Sequence, residues 1–81
     1  MKIDIAQLRV GQKVHYQPEH YNDDEWENGI IKEIPEGATN PESLCFDSIR
    51  VVYHCNGHWD RYDEYTSALT NLRDLKLGWR H

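Results

Sequence analysis

The chain has 81 residues, 38% of them hydrophobic, with 14 acidic against 9 basic side chains and a net charge of −5. That length supports one domain, residues 1–81, and a domain of this size buries only about 60% of the surface its unfolded chain exposes. The acidic balance argues against nonspecific nucleic-acid binding, no apolar run reaches the roughly 18 residues of a membrane span, and two cysteines make no disulfide framework.

The start, Met1-Lys-Ile-Asp-Ile-Ala-Gln, is too polar for a signal peptide. With the thiols free, this points to a cytoplasmic, reducing setting. Ile3 to Leu8 reads as a lead-in of about one helical turn, and Gly11 lets the backbone turn sharply into a first strand over 13–17. Pro18 closes that strand, because proline has no N–H for a ladder.

Glu19 to Glu27 is a polar loop with five carboxylates and no Lys or Arg. The plain reading is a solvated loop, as charge runs usually are. The functional reading is an acidic arm in which Tyr21, Asp23, Asp24, Glu25 and Trp26 meet a cationic partner. A calcium loop fits poorly, since the glycine and the ligand spacing of an EF-hand are missing.

A second strand over 28–34 ends at Pro35, and a Gly/Thr/Asn/Pro loop follows. The strongest local signal comes next. Ile49 to Cys55 is β-branched and aromatic, Asn56-Gly57 suits a type I′ turn, and His58 to Tyr62 runs back. This predicts a hairpin with strands over 48–55 and 58–63. Ile49, Val51, Tyr53, Cys55, His58 and Tyr62 share one face, which looks into a core. Val52, His54, Trp59 and Arg61 share the other, half-exposed or part of a site. Asp63 to Leu69 fits either a helical turn or a bulged continuation. Thr70 to Asp74 reads as a 3₁₀ turn capped by Thr70, and 75–79 as the fifth strand.

The predicted fold is all-β: a five-stranded antiparallel barrel with a short 3₁₀ turn before the last strand, since closure removes exposed edges. Gly29-Ile-Ile-Lys-Glu-Ile34, Val51-Val-Tyr-His-Cys-Asn-Gly-His58 and Leu72-Arg-Asp-Leu75 carry a resemblance to SH3-like barrels and, within them, Tudor domains. It runs from about Leu8 to Leu77. Cys55, Asn56 and His58 stand where the Tudor turn has its acidic, aromatic and asparagine residues. The resemblance therefore implies the barrel and not the methyl-ligand cage. Asp60 to Leu69 looks like an insertion relative to that pattern.

Cys55 and His58 are zinc-ligand types across a tight turn, but no second pair of suitable spacing completes a set of four, so no metal or cofactor is predicted. Five histidines and two cysteines always allow a Cys–His pair to be drawn. Nothing supplies the orienting group and oxyanion site that nucleophilic catalysis needs, so no enzyme is predicted. Tyr16, Tyr21, Trp26, Tyr53, Trp59, Tyr62 and Tyr65 exceed what one small core encloses. Trp26, Tyr21 and Trp59 then line a groove beside the acidic loop, or Trp26 and Trp59 cap the barrel. The expected function is a non-catalytic binding module for a protein or peptide with a Lys/Arg-bearing segment. The alternative is a nucleic-acid-associated barrel using Arg50, Arg61 and Arg73.

Overall fold

The computed structural model describes residues 3–81; the first two residues of the polar start lie outside it. Five strands form one antiparallel sheet: β1 Lys13–Tyr16, β2 Glu27–Glu33, β3 Ser48–Val52, β4 Ala68–Asn71 and β5 Leu75–Leu77. Their order is β4-β3-β2-β1-β5, so the chain meanders from β1 to β4 and β5 returns to lie beside β1. The expected closure into a barrel is not seen: β4 and β5 are the two edges of an open sheet.

The core follows from alternation. Val14, Ile31, Ile49 and Val51 point to one face and pack with Leu8, Leu72 and Leu75. The central strands are buried on both faces, since Ile30 and Val52, which pair in the β2–β3 ladder, are covered as well. Asparagine 56 and Gly57 form the expected turn, both at positive φ, with the His58 N–H donating to the Cys55 carbonyl at 2.8 Å. Beyond it the sequence-based expectation fails. Trp59–Glu64 is a 3₁₀ segment, not a strand, and the strand that pairs with β3 is Ala68–Asn71.

That difference explains the burial. The 3₁₀ segment folds back against β2, and Val52, expected half-exposed, is 0% exposed. Cys55 is buried, while His58, expected beside it on the inner face, is exposed. The 3₁₀ turn before the last strand is present at Leu72–Asp74, but its cap is Asn71, whose side chain accepts from the Arg73 N–H at 3.0 Å. Thr70, the expected cap, is buried in β4.

Gly29 lets β2 and β3 pack closely. A Cβ there would sit 2.6 Å from Val51 Cγ1 and 2.9 Å from the Val52 carbonyl oxygen. After β5, Gly78 turns at φ +81° and its N–H donates to the Lys13 carbonyl at 2.9 Å. The remaining residues cross the β1–β2 end of the sheet, held by His15 Nδ1, 2.8 Å from the Gly78 carbonyl, and by Trp79 Nε1, 2.8 Å from the Gly29 carbonyl.

Candidate functional site

Two tyrosines carry the core face out to its rim. Tyr16 ends β1 in step with Val14, and Tyr53 follows β3 in step with Ile49 and Val51; both pack against the core. Their rings meet edge-on at 5.9 Å. Register brings Glu27 of β2 opposite Tyr16, and Leu75, with Asp74 just before it, opposite Tyr16 on the other side. The result is a cleft of about 290 Å³ lined by Tyr16, Tyr53, Glu27 and Asp74, with Leu69 and Asn71 of β4 along one wall.

The cleft is electronegative. The Tyr53 hydroxyl pKa lies well above the ordinary tyrosine value, first because the phenol is buried and then because Glu27 and Asp74 disfavour a further negative charge; the Thr70 hydrogen bond opposes this. The Tyr21 hydroxyl is pushed the same way by desolvation, then by Glu27, Tyr16 and Glu25. Tyr21 stands edge-on to Tyr16 at 5.5 Å and so extends the aromatic rim. A second cleft of about 390 Å³ lies across Tyr16, between Glu19, His20, Arg73 and Asp74.

The acidic loop is partly braced. Glu25 accepts from the Asn22 N–H, and Gln17 Nε2 donates to the Asn22 and Asp23 carbonyls. Asp23 and Asp24 are exposed at its tip. Trp26 and Trp59 are engaged elsewhere. Trp26 has the Arg80 guanidinium over its ring at 4.4 Å, and Trp59 meets the edge of Trp79 at 4.9 Å. Of the residues expected in a site, Tyr21 touches Tyr16 but lies outside the tyrosine cleft: with Asp23 it lines a third cleft of about 230 Å³ that also holds Arg73 and Lys76, while Asp24 and Glu25 lie further along the loop. Trp26 and Trp59 gather instead around residues 79 and 80.

Tyr16, Tyr53 and Asp74 were not expected in a site. Alternation placed Tyr53 in the core, and it is half in the core and half at the rim. Glu27 stood in the acidic loop, but only the β1–β2 register shows that it faces Tyr16. Of the candidate phosphate-binding arginines, Arg50 pairs with Glu33 at 3.4 Å and Arg61 with Glu64. Arg73 borders the larger cleft beside Glu19. Among the described residues no group of three His, Cys, Asp or Glu side chains could hold a metal ion, and no helix is long and apolar enough to cross a membrane. No family model matches the chain, and neither a curated protein nor a solved structure matches it.

Proposed function

We propose that this domain is a small non-catalytic binding module that takes a Lys- or Arg-bearing segment of a protein or peptide, with the cationic side chain entering the tyrosine cleft. The observation that carries this reading is the convergence of the Tyr16 and Tyr53 rings with the Glu27 and Asp74 carboxylates on one cavity. Ring faces and carboxylates attract a cation together, and a partly desolvated wall strengthens that attraction relative to open water. At about 290 Å³ the cleft is at the small end of ligand pockets, which suits one long side chain better than a whole small molecule. The acidic loop beside it, from Glu19 to Glu27, adds long-range attraction for a basic partner.

On this reading the domain is an SH3-like sheet of the Tudor type that stays open. Five antiparallel strands, a fifth strand returning to the first and a 3₁₀ turn before it support that assignment. The nucleic-acid alternative is weaker because Arg50 and Arg61 already have carboxylate partners.

The test is an NMR titration of isotope-labelled protein with a Lys/Arg-rich peptide and, separately, with an oligonucleotide. Peptide shifts centred on Tyr16, Tyr53, Glu27 and Asp74, and lost in Tyr16→Ala, are expected. Oligonucleotide shifts centred on Arg50, Arg61 and Arg73, with none from the peptide, would replace this reading with the nucleic-acid one.

A further inference from the structure

The second aromatic gathering has a different logic from the tyrosine cleft. All three tryptophans of the chain meet there, and two consecutive residues, Trp79 and Arg80, are each held by a dedicated set of groups. The Trp79 ring lies in a slot: Lys13 Nζ stands over its face at 4.6 Å, Trp59 meets it at 4.9 Å, and its Nε1 donates to the Gly29 carbonyl. Arg80 is held by both side chain and main chain. Its guanidinium covers the Trp26 ring at 4.4 Å. Its N–H donates to Asn28 Oδ1 at 2.9 Å, and its carbonyl accepts from Asn28 Nδ2 at 2.8 Å and from Trp26 Nε1 at 3.1 Å.

The Asn28 contact is the informative one. A carboxamide has an acceptor and a donor side by side, so it can pair with the N–H and C=O of one residue as a neighbouring strand would. That pairing reads an extended main chain whatever its side chains. Trp26 then adds the selection for a cation, and the Trp79 slot adds the selection for an aromatic residue one position earlier. The hydrophobic core closes without these residues: its members end at Leu75, and Trp79 and Arg80 are only half-buried. Gly78 turns into the segment at φ +81° and is itself anchored, its N–H on the Lys13 carbonyl and its carbonyl on His15 Nδ1, so residues 79 and 80 are held by a separate set of contacts beyond that anchor.

We infer that Lys13, Trp26, Asn28, Gly29 and Trp59 form a docking site for an extended partner segment bearing an aromatic residue followed by arginine, and that the chain's own Trp79 and Arg80 fill this site in cis. A partner segment binds by displacing them. A tethered competitor acts at an effective concentration near millimolar, so the natural chain shows a weaker apparent affinity than the emptied site. This site is separate from the tyrosine cleft and stands without it.

The probe is the blocked peptide acetyl-Leu-Gly-Trp-Arg-His-amide, read by fluorescence anisotropy and by the NMR signals of the Trp26 Nε1–H and the Asn28 side-chain amide. The full chain with Trp79→Ala and Arg80→Pro together, which removes both side chains and the N–H that donates to Asn28, should bind the peptide at least about tenfold more tightly than the natural chain. Adding Asn28→Ala should remove the gain, and a peptide with Glu in place of Arg should bind neither protein. If the double variant loses its sheet by circular dichroism, Arg80→Pro alone carries the test, since it uncovers the Trp26 ring and the Asn28 acceptor while Trp79 keeps its slot; the expected gain is then about threefold. Equal affinity of the natural and folded variant chains would overturn the proposal, and so would binding that shifts only Tyr16 and Tyr53, which would place the peptide in the other cleft.

Discussion

The Tyr53 hydroxyl lies 2.8 Å from the Thr70 hydroxyl, and this bond joins the segment after β3 to the middle of β4. Thr70 also donates to the Ala68 carbonyl at 3.3 Å. Thr70 is buried and Tyr53 half-buried, so the bond matters more than a surface one. Tyr53→Phe removes the hydroxyl and leaves Thr70 with its Ala68 contact. We expect a loss of about 1 kcal/mol, measured by urea denaturation.

The same phenol sets an alkaline limit. Its folded pKa is raised, so the folded state keeps the proton that the unfolded chain gives up near pH ~10. The contribution is therefore fully present below about pH 10 and is lost as pH rises through the folded pKa. Stability measured from pH 8 to 11 should fall at the top of that range. Tyr53→Phe should flatten part of the fall; an unchanged slope would assign it to other groups.

Glycines 29 and 57 should respond differently to alanine. At Gly29 the new Cβ meets Val51 and the Val52 carbonyl, and backbone atoms do not step aside cheaply. We expect Gly29→Ala to cost about 2 kcal/mol or more. Gly57 has open space around it but sits at φ +81°, so Gly57→Ala costs about 1 kcal/mol through backbone conformation alone. Gly57→Val, with a branched Cβ at the same φ, should cost more than about 1 kcal/mol. Melting temperatures of the three variants give the order directly.

Trp26 and Val51 separate surface recognition from core. Val51→Ala opens a cavity beside Ile31 and Ile49 and should lower stability by about 2 kcal/mol. Trp26→Ala lies outside that cluster and should leave the domain folded, at a cost of about 1 kcal/mol for the lost Arg80 contacts. Unfolding of Trp26→Ala would make the ring a core member.

Binding in the tyrosine cleft should be salt-sensitive. Glu27→Gln or Asp74→Asn should each weaken a basic peptide by about 0.5–1 kcal/mol at low salt, as partly exposed charge pairs do. The effect should shrink at high ionic strength, where screening acts within a few ångströms. Isothermal titration at two salt concentrations measures both.

Much of the sheet is legible in the residues. β1, β2, β3 and β5 lie where alternation and the flanking Gly and Pro place them, each within a few residues of its expected ends. β4 is not. His58 to Tyr62 has the aromatic pattern of a strand, yet the chain folds it into a 3₁₀ cover over β2. The true β4 is an edge strand with Thr70 as its buried residue, so no apolar alternation marks it. Its pairing with β3 is a tertiary outcome that local propensity does not encode. The tyrosine cleft was hidden for a related reason: Tyr16, Glu27, Tyr53 and Asp74 come from four separate stretches and meet only through register. The acidic loop was legible as charge, but which aromatics stand beside it was not.

β1 has ladders on both sides, one to β2 next in the chain and one to β5 near its far end. The His15–Gly78 bond alone spans 63 residues. Long loops close slowly and at an entropic cost, so contacts between near neighbours form first. On that basis the β1–β2, β2–β3 and β3–β4 ladders are expected early and the β1–β5 ladder late. Both proposed sites are completed by the late part: Asp74 of the tyrosine cleft immediately precedes β5, and residues 79 and 80, which cover the Trp26–Asn28 site, follow it. A folding intermediate of this chain would therefore have its inner strands paired while the tyrosine cleft still lacked Asp74 and the Trp26–Asn28 site still lacked residues 79 and 80. Lesions in β5 should speed unfolding more than they slow folding.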